Sequence, residues 1–137
     1  MRVVVDTNVL IAAYIARSGA CAALYEHLCA AHAVVTSALL LAEFRHKLVV
    51  VEALSFPPAL ADQAMSLVAQ RALVVTAAPL VQPVCRDSDD DAVLSVALGA
   101  GCACIVTMDR DLLTLHPYAG VSILHPRDFW AFERAVW

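Results

Sequence analysis

Val3-Val4-Val5-Asp6-Thr7-Asn8 decides how this chain is read: a short apolar run that stops abruptly at an acid. Three consecutive valines suit a strand buried on both faces, the pattern of a parallel sheet covered by helices. A strand of that kind delivers its last residue to the crevice where open α/β sheets bind ligands, which makes Asp6 a candidate site residue. Position alone leaves a second reading open, because Asp6 or Thr7 can equally cap the free N–H groups of the helix that follows. A second junction of the same form lies far along the chain, Cys104-Ile105-Val106-Thr107-Met108-Asp109, with Glu43 and the run Asp87-Ser88-Asp89-Asp90-Asp91 between the two.

Strand-like and helix-like stretches alternate outward from this start. Residues 3–5 read as strand and 8–16 as helix, with Ser18-Gly19 as a break before a helix over 20–31, where Leu24 and Leu28 share one face. A short strand at 33–36 runs into a helix over 38–50, and Pro57-Pro58 opens another that reaches about residue 70. A third strand at 72–75 precedes a loop marked by Pro79 and Pro83. The last stretch holds a helix from 89 to 101 with acids at its start, a strand at 104–107, a short helix at 109–115, a strand at 121–124 and a closing helix at 126–136. Alternation at these lengths specifies βαβ units: an α/β fold with a central parallel sheet of about five strands and helices on both faces. A length of 137 residues fits one such domain, 1–137, and is too short for two.

Composition excludes several classes. A hydrophobic fraction of 61% with 16% charged residues rules out disorder. The longest apolar stretches are interrupted well before the roughly 20 residues of a membrane span. The N-terminal residues lack the long apolar core of a signal peptide, so a cytoplasmic location is expected. Five cysteines show no paired C-x-x-C spacing, and no two of the five histidines stand at i, i+4, so neither a zinc motif nor a redox dithiol is legible. The formal net charge of −4 argues against a nucleic-acid partner at first sight. However, eight of the 13 acids (Asp6, Glu43, Asp87, Asp89, Asp90, Asp91, Asp109 and Asp111) belong to the segments that would form one site, and the remaining acids are outnumbered by the nine Lys and Arg.

Two strand ends each deliver an Asp, and two helices each place an acid near their start. In a parallel sheet all four junctions lie on the same edge. Carboxylates that converge raise one another's pKa unless a cation offsets the repulsion. An all-oxygen set of this kind suits Mg²⁺ or Mn²⁺, and it activates water for phosphodiester cleavage. Singly, each acid has a plainer account: Glu43 with Lys47 is an i, i+4 ion pair, the Asp87–Asp91 run complements a helix N-terminus, and Asp109 and Asp111 cap a short helix. Those accounts do not explain why the acids recur at one edge.

Val4-Val5-Asp6-Thr7-Asn8-Val9-Leu10, Thr36-Ser37 with Ala42-Glu43-Phe44, Cys85-Arg86-Asp87-Ser88-Asp89-Asp90-Asp91, and Ile105-Val106-Thr107-Met108-Asp109-Arg110-Asp111-Leu112-Leu113 resemble the ordered motifs of PIN-domain proteins, most closely the toxin components of bacterial and archaeal toxin–antitoxin systems (VapC-like ribonucleases). The resemblance implies a three-layer α/β/α PIN-like fold and an Mg²⁺- or Mn²⁺-dependent ribonuclease acting on single-stranded RNA. It also implies a homodimer held in check by a cognate antitoxin protein. Matched residue by residue, Asp6, Glu43 and Asp109 take the places of the first, second and fourth acids. Asp90 is favoured as the third, since relatives carry Asp-Asn where this chain has Asp90-Asp91. Asp91, Asp87 and Asp111 are possible additional members, and Met108 replaces a small residue. In role, Asp6 and Asp90 are the foremost metal ligands, while Glu43 and Asp109 ligate through water or orient the attacking water. Thr7, Asn8 and Thr107 hold the carboxylates by hydrogen bonds. In-line attack by water would leave a 5′-phosphate and a 3′-hydroxyl.

Two other classes share part of this pattern. A phosphoacceptor receiver domain also gathers acids at a parallel-sheet edge, but it needs a Lys after its last strand, and the one lysine here is Lys47. A PIN-like module that binds RNA or protein without cutting would be favoured by loss of a core acid, and all are present. Leu39, Leu40, Leu41, Phe44, Phe129, Trp130, Phe132 and Trp137 are candidates for a partner surface, with core packing the expected fate of most.

Overall fold

The structure, a computed structural model, describes residues 1–16 and 19–137. Strand β1 (Arg2–Val5) leads into α1 (Thr7–Ile15) and α2 (Ala20–Ala31), followed by β2 (Ala33–Thr36), α3 (Ala38–Val50), α4 (Pro58–Gln70) and β3 (Leu73–Val74). The chain then continues through α5 (Ser88–Gly99), β4 (Cys104–Val106), α6 (Arg110–Leu113), β5 (Ser122–Leu124) and α7 (Phe129–Val136). The five strands form one parallel sheet in the order β3-β2-β1-β4-β5, with Val4 paired to Val35 on one side and to Ile105 on the other.

This order creates the crevice. From β1 the chain builds outward through β2 and β3, then returns to lay β4 against the opposite flank of β1. The direction of winding therefore reverses between β1 and β4, and the space beyond their C-terminal ends is where such sheets bind ligands. Asp6 stands there, its amide bonded to the Val106 carbonyl at 2.9 Å.

Alternation along β1 divides the interior into two cores, as the pleat requires. Val3 and Val5 pack with Leu10, Leu24, Leu28, Phe44, Val68 and Phe129, whereas Val4 packs with Val35, Leu40, Val93, Leu94, Ile105 and Ile123. Helices thus cover both faces, giving the expected three-layer α/β/α fold.

Element bounds differ from the sequence reading in small ways with local causes. Ser18 of the expected Ser18-Gly19 break lies outside the described residues, and Gly19 stands at the N-terminal boundary of α2. Helix α5 stops at Gly99, and Gly101, with φ of +63°, turns the chain in a conformation that favours glycine while Cys102 N bonds back to Ala97 O at 2.9 Å. The closing helix is in two parts: Pro126–Asp128 is a 3₁₀ turn, and α7 proper begins at Phe129. Strand β3 shrinks to two exposed residues, in keeping with its place at the sheet edge.

Burial splits the apolar residues considered for a partner surface. Leu40, Leu41, Phe44 and Phe129 are core, while Leu39 is 63% exposed, Trp130 36% and Trp137 70%. All five cysteines are free thiols. No single helix among the described residues is long and apolar enough to cross a membrane.

Candidate metal centre

Asp6 uses both carboxylate oxygens. Its Oδ1 accepts from the Thr7 amide at 2.8 Å, capping α1, while its Oδ2 accepts from the Thr107 hydroxyl at 2.7 Å. Asp6 is buried, and that burial pushes its carboxyl up. Hydrogen bonds from Thr107 and Thr7 and the charge of Lys47 oppose the rise without cancelling it, and Asp109 adds to it. Thr107 is fully buried and joins the two strand ends, because its oxygen also accepts from the Asp109 amide at 3.0 Å.

The acidic run divides at the start of α5. Asp87 caps the helix, accepting from the Asp89 amide at 2.9 Å. Asp90 is 7% exposed and turns inward, where burial first and then the charge of Asp109 push its carboxyl up to about 7, with Asp6 and Asp87 adding to the push. Asp91 turns away: its carboxylate accepts from Cys85 N at 2.8 Å and Val84 N at 3.2 Å, and it lines a groove of about 470 Å³ together with Ser37, Leu39, Leu80 and Ser88. Consecutive side chains on a helix stand about 100° apart, so neighbouring carboxylates cannot face one point.

Asp90, Asp109 and Asp111 bring one oxygen each within 4.8 Å of one another. Asp109 caps α6 through the Asp111 amide at 2.9 Å, and Asp111 is held from outside by Arg86 at 2.7 Å. Glu43 stands differently. Its carboxylate bonds Lys47 at 2.9 Å, and Lys47 reaches on to the Thr7 hydroxyl at 3.3 Å. Of the three residues expected to hold carboxylates, Thr7 and Thr107 bond Asp6, whereas the Asn8 carboxamide oxygen is buried with no hydrogen-bond partner among the described residues.

The donor set fits a hard divalent cation. Asp6 and Asp90 are both raised by burial and by neighbouring acids, a repulsion that a cation relieves and that also favours its binding. The available donors are carboxylate oxygens, the class suited to Mg²⁺ or Mn²⁺.

The PIN domain family model matches residues 2–111, which contain every acid described above. The chain belongs to the PIN-domain family. A chain of the crystal structure of VapBC2 from Rickettsia felis bound to a DNA fragment from their promoter is similar in fold, with a TM-score of 0.65 at 13% sequence identity, covering 91% of this chain and 98% of that one. No curated protein sequence matches the chain.

Within this PIN domain, the residue that sequence reasoning undervalued is Lys47. The i, i+4 spacing reads as a surface ion pair, yet Glu43 is half-buried and the ammonium lies within the field of Asp6. Burial works against that charge, but the Glu43 hydrogen bond and the charges of Glu43, Asp6 and Asp89 outweigh it and hold the Lys47 pKa above its ordinary value. A usable signal was present: Lys47 is the one lysine in the chain, and it sits one turn after a motif acid.

Proposed function

We propose that this PIN domain is a metal-dependent endoribonuclease, and that it acts as the toxin of a toxin–antitoxin pair in the cytoplasm. The observation that carries the nuclease reading is the cluster of Asp90, Asp109 and Asp111 oxygens within 4.8 Å of one another, with Asp6 beside it at the β1–β4 switch point and burial and mutual repulsion raising Asp6 and Asp90. In this reading Asp6, Asp90 and Asp109 hold one Mg²⁺ or Mn²⁺, with Asp111 at its margin. The bound ion would supply a Lewis acid that lowers the pKa of water and offsets charge on the scissile phosphate.

The chain's own residues then orient the reaction. Thr107 fixes Asp6 and the backbone of Asp109 through a single hydroxyl, so both strand ends keep one geometry. Glu43, at the margin, is placed to orient water or take its proton, and Lys47 holds it there while adding positive charge near the anionic substrate. Asp91 secures the 84–85 backbone beside the groove. We take residues 1–137 as one functional unit, since β5 and α7, which lie beyond the family match, complete the same sheet and core. The similar VapBC2 fold supports an antitoxin as partner, and exposed Leu39 offers apolar surface for it or for a second copy in a homodimer.

The test is cleavage of single-stranded RNA by the purified chain with Mg²⁺ or Mn²⁺ and with EDTA. Cleavage that requires the ion, leaves 5′-phosphate ends and disappears in Asp109→Asn is expected. Undiminished cleavage in EDTA would overturn the metal mechanism. A folded protein that binds RNA but cuts none with Mn²⁺ would establish a binding module instead.

A further inference from the structure

A second cluster lies at the opposite edge of the sheet. His32 closes α2 immediately before β2 begins, and His27 lies on the last turns of the same helix. Their spacing of five is not a helical pairing, but the chain leaves the helix at His32, and the two rings come to 5.7 Å between centroids. Helix α7 then runs back along the molecule and sets Glu133 between them. Nε2 of His27 and Nε2 of His32 each stand 2.6 Å from the same oxygen, Glu133 Oε2.

We propose that His27, His32 and Glu133 form a zinc site that fastens α7 to the junction of α2 and β2. Two imidazole nitrogens and one carboxylate oxygen are a donor set that binds Zn²⁺ with a fourth position left to water. One ligand atom from each of the three residues already lies within 4.8 Å of the others. Bonds of 2.0–2.1 Å in tetrahedral geometry place ligand atoms about 3.3 Å apart, so each nitrogen need draw back from the oxygen by only about 0.7 Å.

The surroundings favour an ion over a chance contact. The His32 side chain is fully buried, so its ring is fixed in place beside Glu133. Trp130 packs on His27 at 4.8 Å between centroids, Trp137 on His32 at 4.4 Å, and Phe129 lies against both, an apolar wall that strengthens a bond to an ion by excluding water. His27 and His32 lie within the family match, whereas Glu133 lies beyond residue 111, where it ends.

The test is titration of Zn²⁺ alone into the full chain, in excess Mg²⁺, against a chromophoric chelator. One equivalent should bind and should be retained in Asp109→Asn. His27→Gln and Glu133→Gln should each weaken it by at least about 10-fold, the lower end of what loss of a partner that merely orients a ligand costs. Long-range ¹H–¹⁵N spectra of the unaltered chain give a readout independent of the variants' folding: Zn²⁺ should move Nε2 of His27 and His32 and leave His46, His116 and His125 in place. Zinc binding that is absent under Mg²⁺, unchanged in both cluster variants or lost in Asp109→Asn would overturn the proposal. So would histidine spectra that Zn²⁺ leaves unmoved, with His27, Glu133 and His32 then forming only a hydrogen-bonded bridge.

Discussion

Asp90 and Glu133 are both carboxylates gathered into clusters, yet their surroundings drive them in opposite directions. At the C-terminal edge of the sheet, Asp90 is pushed up to about 7 by burial and by Asp109, because its neighbours carry the same charge. At the N-terminal edge, Glu133 is held below its ordinary range by two imidazoles that donate to it. The first cluster carries charge that a cation would offset. The second is satisfied within the fold and takes up an ion by exchange of protons for metal. Of the two edges, the one with unmet charge is therefore the better candidate for catalysis, and the one with paired charge is the better candidate for a fastening.

The largest effect that would break this contrast is loss of cleavage. Asp90→Asn and Asp109→Asn should each reduce the RNA cleavage rate by at least about 100-fold, the upper end of what losing a hydrogen-bonding partner of a metal ligand costs. Full activity in both would remove the C-terminal edge from the chemistry. Thr107→Val comes next. It deprives Asp6 and the Asp109 amide of a shared partner in a fully buried position, and it should destabilise by about 1–3 kcal/mol in chemical denaturation. A stability matching the unaltered chain would mean that the two strand ends hold their geometry without it.

The pH dependence sharpens the comparison. Asp90 has a pKa of about 7 in the folded chain against an ordinary 3.8, so between those values the folded state binds the extra proton. Stability of the metal-free protein therefore falls through this group as pH rises from about 4 to 7. In EDTA, the advantage of Asp90→Asn over the unaltered chain in thermal melting should grow from pH 5 to pH 8 and shrink when Mn²⁺ is added back. A constant difference would mean that Asp90 carries no uncompensated charge. The smallest effect belongs to Asp91→Asn. The amide oxygen still accepts from Cys85 N, so a change near 0.5 kcal/mol, two- to three-fold in rate, is expected. A loss equal to that of Asp90→Asn would exchange the two residues' roles.

Much of the C-terminal edge was legible from residue order. Apolar runs ending in Asp6 and Asp109 are local patterns, and in a parallel sheet every strand end falls on one edge, so the meeting of these acids followed from topology class alone. The opposite orientations of Asp90 and Asp91 were legible too, as a consequence of helical rotation, once one of them had to face the strands. Lys47 was harder. Its spacing from Glu43 is local, but the contact that brings the pair beside Asp6 comes from α3 packing against α1, where Lys47 reaches Thr7.

By itself, the sequence determined the alternation of strands and helices, the edge at which the acids collect and the PIN-family motifs, because each rests on neighbours in the chain. Tertiary structure alone decided that β4 returns to the open flank of β1, which puts the switch point between Asp6 and Asp109. It alone also brought Glu133 to His27 and His32, more than 100 residues away. Contacts at that separation carry no periodicity for a sequence to display. They form when a distant amphipathic helix finds the apolar face that buries it, as α7 does through Phe129.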